Sequence, residues 1–579
     1  MGKAMTAEPN TLEQIPYLTE QIIPYIGNKR KLLPLIHEGL RLAFPRGFTG
    51  MTFFDPFAGS GIVSRFAKYL GFQVIANDWE YYAYILNYAY LKINRCDLST
   101  MYGAWGGIEG MLSHLNALPD PAEADEYIAR YYSPRDDRIA DYRRERMFYT
   151  RSNGLAIDRL RNEIERLYPR ETAEAAPDTH PFREKVLLLA LLIHQAGTHT
   201  NTSGVFKAYH KGFGGFSGDA LSRILQPIAL PCPCLWDSDL PQHVFRVDAA
   251  ELLGKMSREI PHIDVAYLDP PYNQHQYGSN YHMLNTIALW DGVIPGDRAS
   301  GDKGGIRRDW VKTRSKYCYR DQAPGVFTDL LGALDARHLF ISYSTEGIIP
   351  FEELIDICAD HGRVTMLTNE YVKYRGGRQS IHRLSHNVEF LVIIDRSGKT
   401  LAADRSAIDD LVTARKLNLQ LKRSYACGRL EESFLLDRKD ERIGCTIGGR
   451  TLWIRTRGFL KIDEHDLNGL IDRTVEGLKN ARLARRELLA KLTYCACRNR
   501  VEELQEVMRV VQVVRDDRMF FVALIPDILR KMAHKKYRDI FIRSLREVAA
   551  LGKICPGIYA RIEGKIHDVE ALAHRRFSG

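Results

Sequence analysis

The chain has 579 residues, of which 45% are hydrophobic and 26% charged, and its formal net charge is +9, so more than one globular core is expected. Its 10 cysteines form no CxxC pair, which argues against a zinc ribbon and a disulfide scaffold. The amino terminus lacks a signal-peptide core and no apolar run approaches about 18 residues, which predicts a cytosolic protein with no membrane role and no metal.

The first distinctive segment is Ile23-Pro24-Tyr25-Ile26-Gly27-Asn28-Lys29-Arg30-Lys31. Lys29 is either one member of a solvated basic run or a functional lysine. The neighbouring Gly27 and Asn28 favour a functional role.

A strand, a glycine loop and a helix follow. Met51–Phe54 leads into Asp55-Pro56-Phe57-Ala58-Gly59-Ser60-Gly61, and Ile62–Leu70 has a helical pattern. Glycines at such a junction let the backbone approach a ligand closely, although nucleotide, phosphate and plain turn remain alternatives for this loop alone. A second strand, 72–77, ends at Asp78, whose carboxylate is placed to accept hydrogen bonds from both hydroxyls of a ribose. The pair of strands therefore favours a nucleoside over a bare phosphate.

The next region, 91–242, departs from the alternation of strands and helices and is interpreted as an insertion. An arginine-rich capped helix is predicted within 147–161 and a buried helix over 185–193. The polar loop 198–211 follows, in which Lys207 and Lys211 can contact phosphates while Asn201 or His199 contacts base edges. A purely structural loop is the alternative.

The most informative tetrapeptide is Asp269-Pro270-Pro271-Tyr272, which follows the apolar run 265–268. Two prolines fix their own φ and hold the preceding residue extended, so the corner is rigid. A planar NH₂ group can donate one hydrogen to the Asp269 carboxylate and one to the Pro270 carbonyl, and the Tyr272 ring offers a stacking face. The corner predicts chemistry on an amino group, with an ordinary proline turn as the alternative.

Alternation then resumes, with strands predicted over 338–344 and 388–394 and a helix over 351–360. Between them, the basic loop 370–379 contains Lys373 and Arg375, which can lie on a nucleic-acid backbone.

The pattern of the amino-acid sequence changes near residue 401. A hairpin is predicted around 447–450 and helices from Leu467 to the end. The region after Lys399 carries about +11, whereas the first 400 residues are close to neutral. Attraction to DNA phosphates and an ordinary basic surface both remain open for this region, and its role is not predicted.

In content and order, these motifs resemble those of the alpha-group DNA adenine methyltransferases, the Dam family, from about Tyr17 to Ile394. Around Asp269 the likeness is greatest to FokI-type modification enzymes of type IIS restriction systems. The resemblance implies that Asp269, Pro270, Pro271 and Tyr272 hold the target base. It further implies a site for S-adenosylmethionine made of seven residues: Tyr25, Lys29, Asp55, Gly59, Gly61, Asp78 and Asp248. Because an aspartate that opens a helix is as often only its N-cap, both interpretations of Asp248 stay open.

Direct displacement of the sulfonium methyl group by the amine is the predicted chemistry, with no metal or covalent intermediate. It requires the target base to leave the duplex stack, at a cost of about a few kcal/mol. Stacking on Tyr272 would return about 1 to 3 kcal/mol. The polar and aromatic segment 273–282 is interpreted as the wall around that base, and a solvent-exposed loop is the alternative.

The resulting prediction is an α/β protein, with a Rossmann-like methyltransferase sheet, an inserted recognition domain and a mainly helical C-terminal domain. Residues 17–90 form the cofactor half, 91–242 the target-recognition insert, 243–400 the catalytic half and 401–579 the C-terminal domain. The expected function is methylation of the adenine amino group in duplex DNA, with a cognate restriction endonuclease as partner. The alternatives are the cytosine 4-amino group, a catalytically silent DNA-binding regulator and, more weakly, an RNA substrate.

Overall fold

The structure is a computed structural model. It describes residues 14–215, 220–256, 262–298, 301–345, 347–368, 389–447, 449–463, 467–475, 477–513 and 518–578. The chain forms two compact units: the first contains the described residues up to 368 together with Glu389–Asp404, and the second begins at Arg405. Within the described residues, no helix has the length and apolar character that crossing a membrane requires.

The first unit is built on a seven-stranded sheet with strand order β3-β2-β1-β4-β5-β7-β6. Strands β1 to β5 pair in parallel and β7 runs antiparallel between β5 and β6. Consecutive residues of β1 and nearly all of β4 are buried, as expected for parallel strands covered on both faces. The strands are β1 (Thr52–Asp55), β2 (Gln73–Asn77), β3 (His243–Phe245), β4 (Ile263–Leu268), β5 (Ala336–Ser344), β6 (Arg363–Thr368) and β7 (Glu389–Asp395).

Fifteen α-helices are described before residue 368, and several pack on the sheet: α2 against β6 and β7, α3 against β1 and β2, and α4 against β2 and β3. The helices are α1 (Pro16–Thr19), α2 (Leu33–Ala43), α3 (Ile62–Tyr69), α4 (Tyr81–Lys92), α5 (Ile108–Asn116), α6 (Ile128–Tyr131), α7 (Arg151–Leu167), α8 (Arg170–Ala173), α9 (His180–Thr198), α10 (Leu221–Leu225), α11 (Ala249–Met256), α12 (Tyr277–Asn280), α13 (His282–Leu289), α14 (Ala323–Ala333) and α15 (Phe351–Asp360). The predicted mixed α/β fold is confirmed.

The insertion between α4 and β3 is helical and contains no strand among its described residues. The predicted cap is present: the Thr150 hydroxyl oxygen accepts a hydrogen bond from the Asn153 backbone N–H at 3.2 Å, at the start of α7. Helix α9 is buried along most of its length against α4 and α7. It is longer than the predicted 185–193 because polar residues continue it at both ends.

The second unit combines a four-stranded antiparallel sheet, in the order β11-β10-β9-β8, with helices. The predicted hairpin is present, since Arg450 pairs with Ile447 and Leu452 with Cys445. The helical stripe expected from Leu467 through Leu478 is interrupted before Gly477, whose φ of 84° is incompatible with a continuous helix. The elements are α16 (Ala402–Leu421), α17 (Cys427–Ser433), β8 (Leu435–Asp437), β9 (Arg442–Ile447), β10 (Arg450–Arg457), β11 (Lys461–Ile462), α18 (Leu467–Thr474), α19 (Leu478–Cys495), α20 (Arg500–Val513), α21 (Arg518–Met532), α22 (Arg538–Ile554), α23 (Pro556–Tyr559) and α24 (Glu563–Ser578).

Candidate active site

Acidic side chains cluster at one edge of the seven-stranded sheet. Asp55 is the last residue of β1, Asp78 follows β2 and Asp269 follows β4. Because parallel strands end at the same edge, segments remote in the chain meet there, at the position where open α/β sheets bind ligands. The antiparallel β7 begins at this edge with Glu389, which pairs in register with Ser344 at the end of β5.

A small cavity of about 20 Å³ lies at this edge, and residues of the glycine loop and of the proline corner both line it. Its lining combines the lysine segment, the glycine loop and the proline corner: Tyr25, Gly27, Asn28, Lys29, Asp55, Phe57, Ala58, Gly59, Ser60, Ile62, Val63, Tyr267 and Asp269. The glycine loop, predicted to bind a nucleoside, and the proline corner, predicted to bind an amino group, therefore line the same site.

An ion pair in the site joins Lys29 to Asp269. The Lys29 Nζ lies 3.1 Å from Asp269 Oδ1, and the two side chains are 4% and 18% exposed. Burial alone would lower the pKa of Lys29, but Asp269 and the nearby Glu389 contribute to raising this pKa well above its ordinary value. Lys29 is therefore an ammonium group held against the carboxylate of the proline corner, and not part of a solvated run.

Tyr272 is only 6% exposed. Its ring packs edge-on against Tyr343 with centroids 5.5 Å apart, and Lys29 Nζ lies 5.1 Å from its centroid. The Tyr272 hydroxyl donates to Glu389 Oε1 at 3.5 Å. The ring is thus not openly exposed as a stacking surface, and the Lys29 ammonium contacts two of the three groups that the corner offers to a base, the Asp269 carboxylate and the Tyr272 ring.

The glycine loop is shaped by contacts that glycine alone permits. Gly59 and Gly61 have φ values of 52° and 79°. A Cβ at Gly59 would lie 2.8 Å from the Tyr25 ring, and a Cβ at Gly61 would lie 2.8 Å from the Asn87 side-chain oxygen. Both glycines are therefore required by backbone conformation and by close packing.

Asp78 fixes this loop from the end of β2. Its Oδ2 accepts a hydrogen bond from the Gly59 N–H at 2.8 Å and its Oδ1 accepts from the Glu80 N–H at 2.9 Å. Burial raises the pKa of Asp78 to about 7, although these backbone donors act in the opposite direction. A carboxylate has about four acceptor positions, and the backbone N–H groups of Gly59, Trp79 and Glu80 use three of them, so one remains for a ligand hydroxyl.

Asp55 is buried beneath the loop, where its Oδ2 accepts a hydrogen bond from the Ser64 hydroxyl at 2.7 Å. Burial raises the pKa of Asp55 to about 7, and the Ser64 hydrogen bond partly offsets that effect. The nearby carboxylate of Asp269 raises this pKa further. Two acids of the predicted cofactor site thus titrate near neutrality.

Residues 276–282 do not form an open polar loop. They form α12 and the start of α13, and the Tyr281 ring stacks on Tyr25 with centroids 4.8 Å apart. The Tyr281 hydroxyl oxygen accepts from the Ile26 N–H at 2.6 Å, while the Tyr277 hydroxyl donates to the Ile26 carbonyl at 3.2 Å. This part of the segment clamps the lysine segment, and its role as a wall around the target base stays a prediction. Tyrosines spaced four apart were the available signal.

Asp248 is the N-cap of α11, because its Oδ1 accepts a hydrogen bond from the Ala250 N–H at 2.9 Å. The capping interpretation of this residue is therefore correct, and its contact with a cofactor ring stays a prediction. Tyr317 lies in the same neighbourhood: burial and the charge of Asp248 raise its pKa, and its ring meets Phe57 edge-on at 5.4 Å. Tyr317 belongs to no motif and could not be found from sequence.

The predicted DNA contacts separate into three groups. Asn201 is 0% exposed and its amide donates to the Met147 carbonyl at 3.0 Å, so the prediction that it reaches a base edge is wrong. Lys207 and Lys211 are exposed on the insertion. Lys373 and Arg375 lie outside the described residues. His199, the alternative to Asn201, is also buried.

Glu389 was missed by sequence analysis. It is buried at the start of β7, where it contacts the Tyr272 hydroxyl and contributes to the raised pKa of Lys29. A lone acid directly before the apolar residues of a strand was the only available signal. No group of three or more His, Cys, Asp or Glu side chains that could hold a metal ion occurs in the described part of the chain.

Comparison with known proteins gives a consistent result. The family model for D12 class N6 adenine-specific DNA methyltransferases matches residues 25–229 and 242–293. The type II methyltransferase M.NlaIII of Neisseria lactamica is 32% identical over 376 residues, which are 64% of this chain and 99% of the relative. The chain belongs to the family of D12 class N6 adenine-specific DNA methyltransferases. The predicted resemblance to adenine-specific DNA methyltransferases is confirmed, as is the Rossmann-like methyltransferase sheet.

Two further relatives of this D12 methyltransferase are matched over about half of their length. Modification methylase LlaI of Lactococcus lactis subsp. lactis is 27% identical, over 66% of this chain and 56% of the relative. The type II methyltransferase M.FokI of Planomicrobium okeanokoites is 30% identical, over 58% of this chain and 47% of the relative. No solved structure gave a match. The adenine specificity of the family argues against the cytosine alternative.

Proposed function

We propose that this adenine-specific DNA methyltransferase holds S-adenosylmethionine at the edge of the seven-stranded sheet, between the lysine segment and the glycine loop. The cavity of about 20 Å³ has room for a single water molecule, so cofactor binding requires its lining to open. The lining has the chemistry for such a ligand. The loop has two positive-φ glycines, and Asp78 holds the Gly59 N–H while keeping an acceptor position for a hydroxyl. Tyr25 and Phe57 add flat aromatic surfaces to the lining. When bound, S-adenosylmethionine supplies an electrophilic methyl group on a sulfonium centre.

Individual roles follow from the positions of the side chains. Gly59, Gly61 and Asp78 would hold the nucleoside part, and Tyr25 would close one wall of the pocket. Asp55 would act from below the loop. Lys29 would orient the carboxylate of Asp269 and lie beside the reacting groups.

The proline corner is proposed to receive the target adenine. Asp269 would accept one hydrogen bond from the exocyclic amine and the Pro270 carbonyl the other, which favours a nitrogen lone pair directed toward the cofactor side. The observation that carries this proposal is that Asp269 lines the same cavity as the glycine loop. Because Lys29 contacts both Asp269 and Tyr272, base entry requires its ammonium to shift or share the carboxylate.

Phosphate contacts are proposed for Lys207 and Lys211, which are exposed in the insertion and can meet the DNA backbone without reading sequence. The curated relatives carry the names of type II methyltransferases and modification methylases. We therefore expect a restriction-modification role with a cognate endonuclease, in the cytosol where prokaryotic DNA lies.

The deciding experiment measures transfer of labelled methyl groups from S-adenosylmethionine to plasmid DNA by the full-length protein. Asp269→Ala should reduce transfer by at least about 100-fold, because the acceptor facing the amine is removed. Asp321→Ala, an exposed acid of the same unit, is the matched control and should retain activity. Digestion of the product should yield N6-methyladenine. Equal transfer by Asp269→Ala and wild type would refute the assignment of the corner.

A further inference from the structure

The four-stranded sheet of the second unit has one face packed on helices and one face open. Along β10, Leu452, Ile454 and Thr456 are buried, whereas the intervening Trp453, Arg455 and Arg457 are exposed. Alternate residues of a strand point to opposite faces, so one indole and two guanidinium groups follow one another on the open face.

Neighbouring strands extend this pattern. Arg442 on β9 pairs in register with Arg455, and Lys461 on β11 pairs with Arg457. The Arg457 and Lys461 cations lie over the Phe520 ring at 5.3 and 5.5 Å. We call the set of Trp453, Arg455, Arg457 and Lys461 the cationic sheet face.

An open groove of about 570 Å³ borders this face. Its lining carries both signs of charge: Lys439, Asp440, Glu441, Arg442, Arg455, Thr456, Arg457, Gly458, Asp463 and Phe521. Arg442 is already neutralised by Asp437 and Asp440, each at 2.7 Å. Within the described residues, Arg455 and Arg457 form no ion pair with a carboxylate.

Two exposed guanidinium groups two residues apart on one strand face repel each other, and a polyanion that covers them removes this repulsion. The face has little apolar surface: Trp453 is 37% exposed, and Arg442 lies over its ring at 5.3 Å. A protein partner would require a larger apolar centre with fewer charges. The face instead has the composition of a backbone-binding surface.

We propose that the cationic sheet face binds the sugar–phosphate backbone of duplex DNA and so increases the affinity of the enzyme for its substrate. This inference rests on the DNA methyltransferase function, since it identifies the polyanion as the substrate itself. The concentration of positive charge after Lys399 agrees with it. The contact is independent of base sequence, because guanidinium and ammonium groups on phosphates read charge alone.

The test uses the full-length triple variant Arg455→Ala, Arg457→Ala, Lys461→Ala. The KM for plasmid DNA should rise by about 10- to 100-fold at physiological salt, and kcat at saturating DNA should stay unchanged. Between about 50 and 200 mM salt, the slope of log affinity against log salt should become shallower by about 2 to 3, which corresponds to about three lost phosphate contacts. A failure of the methyltransferase function itself would appear differently, as absence of transfer by the wild type.

A second triple variant is the matched control: Arg543→Ala, Arg546→Ala and Lys553→Ala remove three exposed cations from α22 of the same unit. It should change KM by less than about threefold. It should change the slope of log affinity against log salt by no more than about one. Equal effects of both variants would show attraction by net charge alone and overturn the proposal, as would a lowered kcat with unchanged KM. The charge-retaining variant Arg455→Lys, Arg457→Lys should recover most of the affinity. All variants should unfold cooperatively, with a lower midpoint only in the first triple variant, which loses the cation–π contacts with Phe520.

Discussion

The two sheets of this methyltransferase use similar side chains under different conditions. At the edge of the seven-stranded sheet, Lys29 and Asp269 are largely removed from solvent and paired with each other. On the open face of the four-stranded sheet, Arg455 and Arg457 are exposed. In a buried site, charges fix one geometry because an unsatisfied charge is costly there. On an exposed face, cations act through their total charge and are screened by salt.

This difference predicts that substitutions at the buried edge change kcat and stability, whereas substitutions on the exposed face change KM and its salt dependence. Four further measurements test this difference.

The largest effect is expected from Lys29→Met. Removing the ammonium group takes away the closest cation of a mostly buried carboxylate, so the free energy of unfolding should fall by about 3 kcal/mol. Methyl transfer should fall by at least about 100-fold because Asp269 loses its orientation. Chemical denaturation and single-turnover assays measure the two effects. Lys31→Met, at an exposed lysine of the same segment, should be nearly neutral; comparable losses in both variants would contradict a special role for Lys29.

The second-largest effect, on cofactor binding, is expected from Gly61→Ala. Gly50→Ala is its matched control. Both glycines have positive φ, 79° and 84°, so both substitutions introduce about 1 to 2 kcal/mol of backbone strain. Only the Cβ at residue 61 meets a neighbour, the Asn87 side-chain oxygen at 2.8 Å, and nothing lies within 4 Å at residue 50. Calorimetric titration should show weaker S-adenosylmethionine binding for Gly61→Ala alone. Adding Asn87→Ala should restore part of the binding, and no restoration would argue against the packing explanation.

A smaller effect is expected in the pH dependence of stability. The pKa of Asp78 is raised to about 7 in the folded chain, so the folded state binds a proton more tightly than the unfolded state. This contribution to stability is present below pH about 4 and is lost as the pH rises toward about 7. Denaturation of the ligand-free protein across this range should show a weaker pH dependence for Asp78→Asn than for wild type. Asp321→Asn, at an exposed acid, should leave the dependence unchanged.

The smallest effect is expected for Trp453→Ala on the exposed face. Loss of the contact with Arg442 should lower the free energy of unfolding by about 0.5 to 1 kcal/mol. The KM for duplex DNA should stay within about twofold of wild type, since backbone phosphates are held by cations. A large rise in KM would instead indicate stacking of unpaired bases on the indole ring.

Much of the catalytic sheet was predictable because its signals are local. Helix α15 has the predicted bounds, and strands β1, β2, β5 and β7 agree with the predicted strands to within two residues. Apolar runs that end in acids or glycines identify buried parallel strands and their ligand edge without knowledge of the partners. The same local logic correctly predicted that a cap opens the helix within 147–161, and Thr150 supplies it.

Local signals were insufficient where a side chain forms a hydrogen bond with a backbone group far away in the sequence. Asn201 has a side chain that can hydrogen-bond base edges. It is buried instead, and its amide donates to the carbonyl of Met147. Tyr277 and Tyr281 resembled a polar base-lining segment, yet they grip Ile26, about 250 residues away. The Asn201 contact leaves no pattern in the surrounding residues, and the four-residue spacing of Tyr277 and Tyr281 indicates only that they share one helix face.

The strand ends, the glycine positions and the rigid proline corner follow from the amino-acid sequence, because these features depend on neighbouring residues and on backbone sterics. The pairing of charges follows from the fold, which placed Lys29 on Asp269, added Glu389 beside Tyr272 and left the arginines of β10 exposed. Coulomb energies depend on distance and burial in space, and neither is encoded in the spacing of residues along the chain.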